Sequence, residues 1–247
     1  MAGHSKWNNI KQKKGKEDAK RAKIFTKMAR AITVAAKEGG TDPEYNPALK
    51  LAIEKAKAEN LPNDNVERAI KRASGLSEGE NYENVVYEGY GPSGVAVIVI
   101  GLTDNKNRTA PEVRHAFDKN GGNLGQTGSV SFMFELKGVI VINKNGLDEE
   151  EIILDAIDAG AEDVNVGDDS FEIIIDKENF AKVVDKLSKK YKFKEADLNY
   201  IPLNLTTVTD KEDMKKLIKL FDLLEDNDDI QEVYHNWDIP EDLDLED

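Results

Sequence analysis

Apolar residues in the first third of the chain recur at three- and four-residue intervals, the period of an amphipathic helix. The spacing predicts three helices, over residues 16–39, 46–60 and 64–75. Asn46 followed by Pro47 is typical of an N-cap and a first helical residue. Asp64 and Glu67 have the spacing of a capping box at the start of the third helix. Three short helices joined by brief loops indicate a helical bundle.

After residue 75 the period changes to that of β-strands. Strands are predicted over residues 85–90, 95–103 and 129–135, the last with Val130, Phe132 and Phe134 on one face. Between the second and third strands, Thr109 and Glu112 predict a capped helix that ends at Gly121. This segment therefore has the order β-β-α-β.

Residues 138–203 repeat strand and helix signals without interruption. The predicted elements are a strand at 138–142, a helix at 148–159, strands at 163–166 and 171–175, a helix at 177–190 and a strand at 196–203. The order β-α-β-β-α-β is that of a ferredoxin-like unit. A last helix at 211–224 and a strand at 230–237 have no partners nearby in the sequence.

The unpartnered last helix and strand suggest a nested arrangement. They would complete the earlier β-β-α-β segment, which lacks a closing α-β pair, so that no sheet face is left uncovered. The predicted fold class is α+β: an N-terminal three-helix bundle followed by two ferredoxin-like α/β domains, one inserted in the other. The predicted divisions are an arm at 1–15, a helical domain at 16–76, a discontinuous domain at 77–135 plus 205–237, an inserted domain at 136–204 and an acidic tail at 238–247.

Charge is distributed very unevenly along the chain. The net charge is −14 over 247 residues, yet residues 1–75 hold 17 basic and 9 acidic side chains, a net of +8. The remainder therefore carries −22. A basic N-terminal part on an acidic body is typical of a protein that meets a polyanion through a chosen surface.

Other classes of protein receive no support from the composition. There is no cysteine, which excludes disulfides and thiolate chemistry. No apolar run approaches the length of a membrane span, and no signal peptide is visible, so a cytoplasmic protein without membrane contact is expected.

Residues 89–94 match G-x-G-x-x-G, but a strand follows where a dinucleotide site needs a helix. The three histidines are far apart, and no cofactor, metal or small-molecule substrate is predicted.

The strongest candidate site is the basic arm with the first helix. Basic side chains recur there with few acidic ones, and release of condensed counterions by phosphate contacts would provide affinity. Trp7 could stack on an exposed base. A solvated helix face with a disordered tail is the alternative. The candidate nucleic-acid-binding residues are Lys6, Trp7, Lys11, Lys13, Lys14, Lys16, Lys20, Arg21, Lys23, Lys27 and Arg30.

A second candidate is the loop at residues 104–109, which leads from a strand to a helix N-terminus. Free backbone N–H groups and the helix dipole make such an end a natural anion site. A polar loop that only satisfies turn and cap geometry is an equal alternative. The candidate residues here are Asn105, Lys106, Asn107, Arg108 and, one turn later, Arg114.

Several motifs of the chain resemble those of the YebC/PmpR family: residues 1–7 (MAGHSKW), 20–23 (KRAK), 87–90 (YEGY), 103–109 (TDNKNRT) and 121–125 (GGNLG). The resemblance covers essentially the whole chain and implies a helical domain followed by two α/β domains, one inserted in the other. It also implies a factor that binds nucleic acid, described either as a DNA-binding transcriptional regulator or as a translation factor. Residues 145–235 diverge more, so no site residue is carried over there.

The leading hypothesis is therefore a non-enzymatic, nucleic-acid-binding regulator of gene expression. Its partner would be a DNA duplex or ribosomal RNA on the ribosome. The exposed basic residues are mostly lysine, whereas base reading in the major groove favours Arg, Asn and Gln, so the chemistry leans towards the ribosome. The alternative is a protein-interaction scaffold that uses the acidic α/β domains.

Overall fold

The computed structural model describes residues 18–75 and 82–240, with side chains from residue 22 onwards. The helices are α1 (Asp18–Gly39), α2 (Pro47–Ala58), α3 (Asn63–Gly75), α4 (Lys106–Lys119), α5 (Glu149–Ala159), α6 (Phe180–Leu187) and α7 (Lys211–Glu225). The strands are β1 (Glu83–Tyr90), β2 (Ala96–Thr103), β3 (Asn123–Leu124), β4 (Phe134–Asn143), β5 (Asp163–Val166), β6 (Ser170–Asp176), β7 (Glu195–Pro202), β8 (Thr206–Thr207), β9 (Ile230–His235) and β10 (Trp237–Asp238).

The helical bundle packs α1 against both α2 and α3. Ile32 and Leu49 are fully buried at its centre. The Asn46 side chain caps α2 by accepting from Leu49 N at 3.1 Å, and it donates to the carbonyls of Ala35 and Gly40 at 2.7 Å each. One amide thus joins the end of α1 to the start of α2, and the prediction of an Asn46 cap is confirmed.

The third helix begins earlier than its sequence indicated. The capping-box prediction for Asp64 was wrong, because α3 starts at Asn63 and Asp64 lies inside its first turn. The carbonyl of Pro62 accepts from Asn65 N at 2.9 Å and from Val66 N at 3.3 Å. These two backbone bonds begin the helix ahead of the predicted side-chain cap.

The first sheet has the strand order β3-β1-β2-β9, with antiparallel pairing throughout. The apolar sides of α4 and α7 cover one face, where Phe117, Leu217 and Phe221 are fully buried. The predicted strands at residues 85–90 and 95–103 are confirmed as a hairpin around a short turn at Pro92–Gly94. β2 therefore follows that turn, at the place where a dinucleotide site needs a helix.

The second sheet has the order β5-β6-β4-β7, again antiparallel. This is the strand order of a ferredoxin-like unit, with α5 and α6 packed over the core around Ile140, Ile152 and Phe171. The α+β fold class is confirmed. The domain boundaries stay a prediction, although β9 pairs with β2 across the intervening second sheet.

Two further local predictions, for residues 129–135 and for the start of α4, were wrong. Residues 129–135 were expected to be one alternating strand, but Ser131–Met133 is a 3-10 turn and β4 begins only at Phe134. The backbone N–H groups of Val130 and Ser131 donate to the Glu88 carboxylate at 2.9 and 2.8 Å, which holds the chain in the turn. As a result Phe132 is 70% exposed instead of facing the core.

The second wrong prediction concerns the start of α4. Asn105, not Thr109, is the N-cap, with its side chain accepting from Arg108 N at 3.1 Å. Thr109 lies inside the first turn and is fully buried. Its hydroxyl donates to Asp229 Oδ2 at 2.6 Å, so it bonds to a residue far away in the sequence instead of capping its own helix.

Candidate nucleic-acid interface

The arm residues Lys6, Trp7, Lys11, Lys13 and Lys14, together with Lys16 just after the arm, lie outside the described residues. Lys20 and Arg21 are in α1, but their side chains also lie outside the description. The predicted role of these eight residues therefore stays a prediction. The other three residues predicted on α1 are Lys23, Lys27 and Arg30.

These three cations follow one another along successive turns of α1 and face the C-terminal end of α7. Lys23 Nζ is 3.1 Å from the Asp226 carboxylate. Lys27 Nζ donates to the carbonyl of Glu225 at 2.6 Å. A helix C-terminus carries partial negative charge, so the position suits a lysine. The basic face of α1 is thus turned towards the molecule's own acidic segment.

Arg30 makes the most extensive contact of the three. Its Nη1 donates to the carbonyls of Leu102 and Asp228 at 2.9 and 3.0 Å, and to Asp229 Oδ1 at 2.6 Å. Its guanidinium carbon lies 5.0 Å from the centre of the Tyr82 ring, in cation–π geometry. Only 14% of the side chain is exposed. Arg30 therefore acts in the described structure as a link between the helical bundle and the first sheet.

Asp229 is the centre of this link. It is 97% buried, and its second carboxylate oxygen accepts from Arg108, Thr109 and Thr103 at 2.6, 2.6 and 3.0 Å. Burial alone would raise the pKa of Asp229, but these hydrogen bonds, together with that from Arg30, lower it to about 2. The charged form of the Asp229 carboxylate is stabilised because both of its oxygens accept hydrogen bonds.

Arg108 also bonds inward. In addition to Asp229, its Nη2 donates to Asp104 Oδ1 at 2.8 Å. The hydrogen bonds with Asp229 and Asp104 raise the pKa of the Arg108 guanidinium above its usual value. The side chain nevertheless remains 43% exposed, so part of the guanidinium faces solvent.

The remaining predicted residues of α4 lie together on its outer side. They line a shallow groove of about 480 Å³ whose walls are Lys106, Asn107, Ala110, Pro111, Arg114, His115 and Asp118. Asn107 and Arg114 are exposed, and Lys106 forms an ion pair with Glu83 at the rim. Asn105 is not in the groove, because its side chain caps the helix. The walls of the groove thus contain two basic side chains, Lys106 and Arg114, and one acidic side chain, Asp118.

Sequence reasoning did not place His115 or Asp229 among the site residues. His115 had a detectable signal: positions 107, 111 and 115 are four apart and so share one helix face. Asp229 had none, since it is 121 residues from Arg108 and 199 from Arg30. Among the described residues no group of three or more His, Asp or Glu side chains could hold a metal ion. Within the same residues no helix is long and apolar enough to cross a membrane.

This is an α+β protein in which the ion pair of Arg30 with the buried Asp229 joins an N-terminal helical bundle to the first of two antiparallel sheets. Two family descriptions match it: "TACO1/YebC protein N-terminal domain" over residues 5–76 and "TACO1/YebC second and third domain" over residues 82–237. The chain belongs to the TACO1/YebC family, and the resemblance noted in the sequence is confirmed.

Individual relatives are similar over nearly their whole length. A "probable transcriptional regulatory protein" of Finegoldia magna is 62% identical over 239 residues, covering 96% of this chain and 99% of that one. A protein of the same description from Clostridioides difficile is 58% identical, covering 94% and 98%. The crystal structure of a conserved hypothetical protein from Aquifex aeolicus superposes with a TM-score of 0.84 at 46% identity, covering 92% and 93%.

Proposed function

We propose that this chain is a non-enzymatic regulator of gene expression that binds nucleic acid through its N-terminal arm and the outer groove of α4. The observation that carries the proposal is the groove itself. Lys106, Asn107, Arg114 and His115 face solvent together on a chain whose net charge is −14. An acidic protein repels phosphate, so a cluster of cations and amide groups confines contact to that surface.

Structured RNA, as on the ribosome, is the favoured partner. A transcription regulator of the usual kind places a helix in the major groove of duplex DNA. The cation-bearing face of α1 is turned against α7 in this arrangement, so α1 is a poor candidate for that helix. The groove offers point charges and amides on a shallow surface, which suits recognition of RNA shape and phosphates.

A DNA-binding transcriptional regulator is the second candidate, and the names of the relatives favour it. The proteins of Finegoldia magna and Clostridioides difficile are both described as probable transcriptional regulatory proteins. This candidate requires sequence-dependent binding to duplex DNA, whereas the ribosomal candidate does not.

The test is a salt series of binding to purified ribosomes and to a random DNA duplex. Wild type is compared with an arm variant (Lys11, Lys13, Lys14 and Lys20 to Glu) and a groove variant (Lys106→Glu with Arg114→Glu). Lys189→Glu is the matched control, because Lys189 is equally cationic and 70% exposed but belongs to the second α/β unit. We expect the arm and groove variants to lose ribosome binding and to show a shallower dependence of log K on log salt.

Three outcomes decide between the candidates. Ribosome binding that outlasts duplex binding as salt rises supports the RNA partner. Stronger duplex binding that depends on sequence favours the transcriptional regulator. If wild type binds neither, or if Lys189→Glu is as damaging as the groove variant, the proposal is wrong and a protein scaffold becomes the better hypothesis.

A further inference from the structure

Three long stretches of the chain contain no charged residue, although a third of all residues are charged. They are residues 89–103, 120–134 and 198–209. The first is mostly β2 and is explained by its burial in the first sheet. The other two are different, because both include exposed loops.

These last two stretches lie side by side in the fold. Phe134 pairs with Pro202 at the start of the β4–β7 ladder, and Leu203 N donates to the carbonyl of Met133 at 2.9 Å. Beneath them Val130, Phe134 and Tyr234 are buried in one apolar cluster. The stretches are also the two chain connections between the first and second sheets, so together they form the junction of the α/β units.

The outer surface of this junction carries apolar and polar side chains but no charged ones. Phe132 is 70% exposed, and Leu203 and Leu205 are 52% and 50% exposed. Polar side chains of the same two stretches are also exposed, among them Gln126, Thr127 and Asn204. We call the exposed surface of residues 120–134 and 198–209 the neutral junction.

A buried carboxylate holds the loop that carries Phe132. Glu88 is 96% buried in β1 and accepts from the backbone N–H groups of Gly128, Val130 and Ser131 at 2.8, 2.9 and 2.8 Å. Burial acts to raise the pKa of the Glu88 carboxyl, but these three donors outweigh it and hold the pKa below its usual value. The Tyr90 hydroxyl adds a bond to the carbonyl of Ser129 at 3.0 Å. The loop is therefore ordered before any partner arrives.

We propose that the neutral junction binds an unpaired base of RNA, with the Phe132 ring as the stacking surface and Glu88 as the positioning residue of its loop. The inference rests on the proposed function and names a third contact for the same RNA, after the arm and the groove. A polyanion can approach this uncharged area of an acidic body without repulsion. Amide and hydroxyl groups beside an exposed ring match the polar edge and flat face of a base, and unpaired RNA bases are recognised in this way.

The mixture of polar and apolar side chains favours RNA over a protein partner here. Either partner would meet few charges, but the buried core of a protein interface is more apolar than the surrounding surface. At the neutral junction, exposed amides and hydroxyls accompany the three large apolar side chains. A pre-ordered aromatic ring also loses little conformational entropy on binding, which suits a single stacking contact.

The test measures binding of the full chain to an RNA hairpin with an unpaired loop, and to the same stem closed as a duplex. We expect Phe132→Ala to weaken hairpin binding by about 5- to 150-fold, the range of one base-stacking contact, and to leave duplex binding unchanged. The dependence of log K on log salt should stay as in wild type, because no charge is removed. Phe132→Trp should retain hairpin binding.

Leu154→Ala is the matched control, because Leu154 is also apolar and 63% exposed but lies on α5. Glu88→Gln tests the positioning role: exchange of the backbone amide hydrogens of Val130 and Ser131 should become faster while hairpin affinity falls. Unchanged hairpin binding in Phe132→Ala, with wild type binding tightly, would overturn the inference and leave the proposed function intact. Failure of wild type to bind either RNA or ribosomes would instead overturn the proposed function, and the inference with it.

Discussion

The basic face of α1 and the outer groove of α4 look alike in the sequence but differ in the fold. Both place cations at helical spacing. On α1, Lys23, Lys27 and Arg30 bond to the last residue of α7 and to the acidic residues that follow it. On α4, Arg114 faces solvent beside Lys106. The comparison teaches that the number of cations on a helix does not measure the charge it offers to a partner. What matters is which carboxylates the fold brings to it.

The largest effect on stability is expected when the Asp229 carboxylate, which binds Arg30 of α1, is removed. We expect Asp229→Asn to lower the free energy of unfolding by about 3 to 5 kcal/mol, because Arg30 and Arg108 lose a buried partner. Urea unfolding at pH 7 measures the change. The control is Asp226→Asn, whose ion pair with Lys23 is largely exposed and should cost less than about 1 kcal/mol. Equal losses in the two variants would contradict the central role of Asp229.

A smaller effect is expected at the second contact of the helical bundle, between Lys55 and Asp197. The two groups are 2.6 Å apart, and the Asp197 side chain is only 18% exposed. Burial raises the pKa of Asp197 to about 6; the charge of Lys55 acts to lower it, and Glu195 and Glu232 act to raise it. The folded protein therefore binds more protons than the unfolded chain between about pH 4 and pH 6.

The sign of the pH dependence follows from that difference. Stability should fall as pH rises through this window and stay level above it, as far as Asp197 is concerned. We expect Asp197→Asn to remove that slope and to raise stability at pH 7 by roughly 1 to 2 kcal/mol, less than the full pKa shift would give because the side chain is partly exposed to solvent. Thermal unfolding from pH 4 to pH 8 checks both. An unchanged slope in the variant would rule out Asp197 as the titrating group.

The smallest change in free energy is expected at Arg114, and it tests the difference between the α4 groove and the α1 face most directly. We expect Arg114→Ala to weaken nucleic-acid binding by about 3- to 10-fold at low salt and to reduce the salt slope by about one. Lys27→Ala should change neither, because Lys27 already bonds to the end of α7. Fluorescence anisotropy over a salt series measures both quantities. A slope that falls in Lys27→Ala but not in Arg114→Ala would reverse the assignment of the two surfaces.

Much of the architecture was predictable because its signals are local. The period of apolar residues gave both sheets and the helices, and Asn46 with Pro47 marked the start of α2. Two of the three errors share one cause, a bond to a residue distant in the sequence. The third, at the start of α3, comes from local bonds to the carbonyl of Pro62. Thr109 resembles a cap, yet its hydroxyl bonds to Asp229. Residues 129–135 alternate like a strand, yet the Glu88 carboxylate accepts from the N–H groups of Gly128, Val130 and Ser131 and holds the chain in a turn.

The candidate site was predictable to a lesser degree. The sequence indicated Lys106, Asn107 and Arg114, which the fold brings into one groove together with His115. It could not distinguish them from Arg30 and Arg108, because Asp229, which binds those two, has no local signature. Only the pairing of β9 with β2 brings Asp229 to them.

The distance of 199 residues between Arg30 and Asp229 has a consequence for synthesis of the chain. The core of the helical bundle is built only from residues before Gly75, so the bundle can form early. At about 5 to 20 residues per second, Asp229 is added roughly 10 to 40 s after Arg30. A growing chain therefore presents Lys23, Lys27 and Arg30 to any phosphate nearby, and loses that face only once α7 and β9 complete the first sheet. The nascent chain and the folded protein therefore expose different sets of basic side chains to solvent.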